Sequence, residues 1–167
     1  MIRIFSPIYL AGIIDEDFVN YRVPSMVLMF PYCTFKCNEE CGENVCQNYE
    51  IASSKLVEIF PSAIYDRYIN NPITQALVLQ GLEPMDSWGS VDNLIYYFRR
   101  CQNCYDDIVI YTGYNKDEIQ ERVNYLTTMY SNIVIKYGRF IPHQEPHYDP
   151  ILGVKLASDN QYAERIC

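Results

Sequence analysis

The stretch MVLMFPYCTFKCNEECGENVCQNYE, residues 26–50, runs an apolar segment straight into four cysteines. Cys33, Cys37, Cys41 and Cys46 fall within fourteen positions, too densely for thiols that merely fill a core. The apolar part, SMVLMF at 25–30, has no helical period and predicts a buried strand. Such a strand belongs inside a sheet, and the loop after it belongs at the sheet edge where ligands bind.

Further out along the chain, runs of the same kind recur. TQALVLQG (74–81), DDIVIYTG (106–113) and NIVIKYG (132–138) have strand length and close on Gly, and ILGVKLA (151–157) is a candidate fifth strand. Helical segments alternate with them. SSKLVEIFPSAIYDRYIN (53–70) is helical in composition, with Pro61 beginning a new turn or kinking it. SVDNLIYYFRRCQ (90–102) suits an amphipathic helix capped by Ser90. NKDEIQERVNYLTTMYS (115–131) opens with Asn115 and carries Glu118 three residues on, a capping-box arrangement. RFIPHQEPHYDP (139–150), with its three prolines, reads as a loop. Near-continuous apolar strands alternating with helices mean an α/β fold of mostly parallel strands. The loops PYCTFKC, QGLEP, YTGY and YGRF then gather at one edge of the sheet.

The 167 residues fit a single domain spanning 1–167, and 49% hydrophobic with 20% charged residues is a globular composition. A formal charge of −8 leaves no basic stripe for phosphates, so nucleic acid is excluded as a partner. The sixteen tyrosines therefore pack and hydrogen-bond within the fold. No apolar run approaches the roughly 20 residues of a membrane span, and MIRIFSPIYL lacks the pattern of a signal peptide. The expected location is the cytoplasm, where seven cysteines serve metal or redox chemistry rather than a disulfide framework.

A zinc ion wants paired CxxC hooks, but the four clustered cysteines are spaced x3, x3 and x4. The CxxC of Cys101 and Cys104 lies far from them at a helix end, where packing is its expected role, and Cys167 carries no signal. An iron–sulfur cluster is larger, and an irregular, wider-spaced loop wraps it. His143, Glu145 and His147 sit in the proline-rich loop without the i, i+4 geometry of a helical metal motif, and are expected to be solvated.

These residues resemble the radical S-adenosylmethionine (SAM) enzymes, and among them the small activating proteins of anaerobic ribonucleotide reductase. That family carries a Cys-x3-Cys-x2-Cys loop after its first strand, and CTFKC supplies Cys33 and Cys37 while CQN (46–48) resembles the third position. GIIDEDFVNYRVPSMVLMF resembles the lead-in to that strand, QGLEP (80–84) the GGEP turn, and IVIYTGYNKDEI the strand with its TGY signature. YGRF resembles a later strand end and ASDNQ (157–161) the terminal Ser-x-Asn-Gln. Each is weak alone; in this order, each at a strand end or loop, they form a strong signal. The departure is in the loop: three residues separate Cys37 from Cys41 and eight separate it from Cys46. Gln47-Asn48 and the apolar Val45 favour Cys46, with Cys41 the alternative third ligand.

The resemblance implies an incomplete (βα) barrel and a [4Fe-4S] cluster on three thiolates, whose open iron chelates SAM. It implies SAM contacts at Gly81, Leu82 and Glu83, a ribose contact at Thr112 beside Gly113, and a pocket shaped by Ser158, Asn160 and Gln161. Leu82 replaces the second family glycine, which demands a negative φ there. The implied activity is a radical SAM oxidoreductase of the activase type, with a glycyl-radical enzyme as partner and a flavodoxin- or ferredoxin-like electron donor. Two other functions fit the same residues: a radical SAM enzyme acting on a small molecule or peptide, and a non-catalytic iron–sulfur or structural metal protein.

Overall fold

The apolar runs become the middle of one sheet because they bury both faces. In the computed structural model, which describes residues 2–46 and 48–167, the chain forms β1 (Ile8–Leu10), β2 (Gly12–Asp17), β3 (Ser25–Phe30) and α1 (Lys36–Cys41). It continues through β4 (Val57–Ile59), α2 (Pro61–Ile69), β5 (Ala76–Gly81), α3 (Trp88–Tyr96), β6 (Asp107–Tyr111) and α4 (Gln120–Met129). It ends with β7 (Ile133–Tyr137), β8 (His147–Asp149), β9 (Val154–Leu156) and β10 (Tyr162–Arg165).

The sheet order is β10-β7-β6-β5-β3-β2. The inner four strands, β3, β5, β6 and β7, are parallel, and β2 and β10 close the two edges antiparallel. The protein is thus α/β with a mostly parallel central sheet.

Register sorts the side chains by row. Val27, Val78, Val109 and Val134 are consecutive partners across the four parallel strands. They form an all-valine row on one face, covered by Tyr21, Leu152, Leu156 and Ala163. The neighbouring row, Leu28, Leu79, Ile110 and Ile135, faces the other way and meets Ile64, Leu94, Ile95 and Leu126 of the helices. Larger side chains thus fill the space under the helices, and the compact β-branched residue lines the opposite face.

Three expectations change at their boundaries. Residues 53–70 are not one helix: β4 pairs antiparallel with β1, and α2 starts at Pro61, whose missing N–H is harmless at a first helical position. Ser90 caps nothing, because a 3₁₀ turn at Pro84–Ser87 leads directly into α3 at Trp88. ILGVKLA does not join the central sheet: β9 pairs with β8 in a separate hairpin, and β8 comes from the expected proline-rich loop. The true last strand, β10, is four residues long with charged Glu164 and Arg165 in its second half, which hides it from a search for continuous apolar runs. Glu118 does reach back to accept the Asn115 N–H at 2.8 Å, as the capping pattern requires.

α3 widens into a π turn at Tyr97–Cys101, which delivers Arg99 into the core at 2% exposure. Its guanidinium donates to the carbonyls of Cys104 (2.7 Å), Ser131 (2.9 Å), Asp106 (2.9 Å) and Asn132 (3.1 Å). One buried charge thereby satisfies the loops that enter β6 and β7.

Candidate metal centre

β3 stops at Pro31, which cannot donate to a ladder, and the chain turns out over the sheet edge. Phe35 then takes a left-handed conformation, φ 55°, at the start of the six-residue α1. For a non-glycine residue this costs roughly 1–2 kcal/mol, a strain that tertiary contacts must hold. Gly42, φ 71°, ends the helix. Asn38 then folds the loop back: its Oδ1 accepts the N–H groups of Val45 and Cys46, both at 2.9 Å. Cys46 is thereby brought beside Cys37 although eight residues intervene.

Cys33, Cys37 and Cys46 line one cavity of about 350 Å3 at the carboxyl ends of the parallel strands. Cys41, at the far end of α1, is not in its wall. Burial, together with the carboxylates of Glu83 and Asp86, pushes the Cys33 thiol up to about 11. Cys37 is raised by burial and by the neighbouring Cys46. Thiols held protonated in this way are poor nucleophiles, and a metal that binds them must displace their protons. Among the described residues, no three His, Cys, Asp or Glu side chains converge on a single ion. The Phe35 N–H, 3.2 Å from the Cys33 sulfur, supplies the kind of hydrogen bond that tunes cluster thiolates.

The turn after β5 forms the next wall. Gly81 has φ 103°, and a Cβ there would lie 2.6 Å from the Phe30 nitrogen, so only glycine fits. Leu82, by contrast, is not among the positive-φ residues. Leu82 N–H donates to the Phe30 carbonyl (3.0 Å) and Glu83 N–H to the Tyr32 carbonyl (2.9 Å), which sews this turn to the cysteine loop. The Gly81 carbonyl accepts from the Asn48 side chain at 2.9 Å. Glu83 is 4% exposed, and burial raises its carboxyl to about 6. Met85 N–H (3.0 Å) and the Thr112 hydroxyl (2.8 Å) donate to Oε1, and Gly113 N–H (2.8 Å) donates to Oε2. Those contacts leave Oε2 with spare acceptor capacity in the cavity wall.

The structure thus brings Gly81, Leu82, Glu83, Thr112 and Gly113 to the cavity with the three thiols. The Thr112 hydroxyl, expected at a ribose, is committed to Glu83. Ser158 and Asn160 stand behind the wall: Ser158 donates to Asn160 Oδ1 (2.7 Å), and Asn160 Nδ2 donates to the Arg139 carbonyl (2.8 Å). Gln161 lines the cavity and donates to the Gly138 carbonyl at 3.2 Å. Gln47, half of the Gln47-Asn48 pair, lies outside the described residues. His143, Glu145 and His147 line no part of this cavity. Cys104 and Cys167 pack against the main core, and Cys101 is exposed.

Sequence reasoning missed the ties between elements. Asp86 accepts from Thr34 N–H (3.2 Å) and from the Tyr114 hydroxyl (2.6 Å), bridging the cysteine loop to the strand-end loop after β6. Arg139 pairs with Glu118 at 2.7 Å and with Glu40 of α1 at 3.5 Å. Only Asn38, a side chain with two acceptor lone pairs between two loop cysteines, carried a local signal.

A parallel sheet whose strand-end loops present three sulfur donors and a buried carboxylate to one cavity defines an α/β iron–sulfur protein. The family described as a 4Fe-4S single cluster domain matches residues 23–161, and the chain belongs to it. The match takes in the cysteine loop, the Gly81–Glu83 turn and Gln161. Comparison with curated proteins and with solved structures finds no match. No helix among the described residues is long and apolar enough to cross a membrane.

Proposed function

We propose that the chain holds its [4Fe-4S] cluster on Cys33, Cys37 and Cys46 and is a radical SAM oxidoreductase of the activase type. The observation that carries this reading is that these three thiols, without Cys41, share one cavity with Glu83. Bound there with one iron free of protein thiolates, the cluster would supply reductive cleavage of SAM to methionine and a 5′-deoxyadenosyl radical, the electron coming from a flavodoxin- or ferredoxin-like donor. The residues of this chain bind and aim. Glu83, locked by three donors, offers its remaining acceptor site to the SAM ammonium, a charge-assisted contact. The Gly81 backbone gives the close approach that a side chain would block. Asn38 and Asp86 fix the cysteine loop, and Ser158, Asn160 and Gln161 brace the wall after β7.

On this reading the open sheet is an incomplete (βα) barrel, residues 1–167 form one domain working in the cytoplasm, and the hydrogen donor is a backbone glycine of a large glycyl-radical partner. A second reading, a radical SAM enzyme for a small molecule, is favoured by two cations in the cavity wall, Lys136 and Lys155, that no carboxylate neutralises among the described residues.

Anaerobic reconstitution with iron and sulfide, then electron paramagnetic resonance with and without SAM, tests the proposal. SAM should shift the signal of the reduced cluster and release 5′-deoxyadenosine. Cys46→Ala should lose both effects while Cys41→Ala keeps them. A cluster that needs all four cysteines and ignores SAM would make the protein an iron–sulfur carrier.

A further inference from the structure

Two residues beyond the valines along each strand, the same face of the sheet becomes polar. Met29 partners Gln80 and Tyr111 partners Lys136, and Gln80 and Tyr111 each follow directly on the last β5–β6 pair, Leu79 with Ile110. Gln80, Tyr111 and Lys136 all line the cavity, the last at 7% exposure. The Lys136 ammonium donates to the Gly138 carbonyl at 3.0 Å and lies 5.9 Å from the centre of the Tyr111 ring. Among the described residues, it pairs with no carboxylate. Glu83, the anion whose charge it feels, is held by its own three donors. An ammonium has three N–H groups, and a buried one left short of acceptors is costly unless a ligand completes it.

The charge of the whole wall points the same way. Lys36, Lys136, Arg139 and Lys155 face a single carboxylate, Glu83, in a chain whose formal charge is −8. Lys36 pairs with Glu118 at 3.7 Å and Arg139 with Glu118 at 2.7 Å and Glu40 at 3.5 Å, two carboxylates for two cations, leaving Lys136 deep in the cavity and Lys155 exposed at its rim.

We propose that Lys136 is the recognition point for the carboxylate of a small acidic molecule, the hydrogen-donating substrate of this site; the substrate role rests on the radical SAM reading, in its small-molecule form. The carboxylate of SAM is not the partner on that reading, because it belongs at the open iron beside β3. Lys136 stands three strands away, roughly 14 Å across the sheet. A phosphate would add to such a lysine a cradle of backbone N–H groups or a free Arg fork, and the Arg of this wall, Arg139, is tied to Glu118 and Glu40. One ammonium deep in a cavity that the Gln80 amide also lines suits a carboxylate.

The test uses the cluster-loaded full chain without SAM, titrated calorimetrically with acetate, succinate, glutarate and citrate, and with succinamide as the neutral isostere. At least one acid should bind at pH 7, succinamide should not, and Lys136→Met should weaken binding by about tenfold or more. Lys136→Arg should retain binding, and the wild-type affinity should fall above pH 8 as the ammonium loses its charge, a profile that a merely structural lysine would not give. Equal binding by Lys136→Met, equal binding of succinamide, or no acid binding below about 10 mM would overturn the assignment. Acid binding without SAM cleavage would overturn the radical reading and leave the Lys136 site standing; SAM cleavage without acid binding would do the reverse.

Discussion

Lys136→Met should make the protein more stable at neutral pH, and the gain should vanish in base. Burial lowers the Lys136 ammonium from 10.5 to about 8, with the charge of Glu83 opposing the shift only in part. That difference corresponds to about 3 kcal/mol held against the folded state while the lysine is charged in both states. Between pH 8 and 10.5 the unfolded chain binds the proton and the folded chain does not, so wild-type stability rises with pH through that window. Methionine keeps the length and apolar stem of the side chain without the charge. The Gly138 carbonyl keeps its contact from Gln161 at 3.2 Å, so no acceptor is orphaned. Urea unfolding of both proteins at pH 7, 9 and 10.5 measures the gap. Cys33 and several tyrosines titrate in or above this range in both proteins, so the difference between the curves is the quantity to read. A gap of about 3 kcal/mol at pH 7 that closes by pH 10.5 is expected. A less stable Lys136→Met at pH 7, or a gap indifferent to pH, would refute the account of a charge buried without a partner.

Gly81→Ala forces a side chain into positive φ and against the Phe30 backbone, so it should cost about 1–3 kcal/mol from conformation alone and lower iron content after reconstitution, measured by thermal melts and iron assay. Asn38→Ala frees the N–H groups of Val45 and Cys46; far-UV circular dichroism should be unchanged while iron per chain falls. Arg99→Met takes the donor from the carbonyls of Cys104, Asp106 and Ser131, while that of Asn132 keeps the Ile108 N–H, and should destabilise by about 3 kcal/mol in urea unfolding. Hydrogen exchange of the cluster-free protein should leave β5, β6 and β7 protected while amides across residues 33–46 exchange faster than in the loaded form.

The parallel strands were legible because burial on both faces writes itself as continuous apolar runs, and SMVLMF matches β3 residue for residue. The edges were not. β2 and β10 bury one face at most, and β4, Val57–Ile59, is a short strand hidden inside a helical composition. At the site, the cysteine spacing and the Gly81–Glu83 turn stood out as local patterns of residue type, and the fold brings them to one cavity. What the sequence alone could not decide was which thiols meet, since that depends on the Asn38 side chain turning the loop back toward Cys37. Lys136 was invisible for a different reason. In NIVIKYG it looks like an ordinary polar residue at a strand end, and only the ladder register turns it inward.

The cysteine helix shows why this site needs its cluster. None of the residues of α1 is buried, so no apolar surface holds it on the sheet. Its anchors are polar: Asn38 to the Cys46 segment, Asp86 to Thr34, the Lys36 pair with Glu118, and the Arg139 pair with Glu40, whose carboxylate is largely exposed. Each such contact is worth about 1 kcal/mol or less, against a left-handed Phe35 that costs about as much. The loop is therefore close to balance by itself, and thiolate bonds to a rigid cluster would tip it toward order. The sheet, by contrast, is closed by its valine and leucine–isoleucine rows whether or not the cluster is present. Cluster binding and loop folding are one equilibrium set on a scaffold that does not share it, so substitutions in the loop should act on iron affinity and substitutions under the helices on global stability.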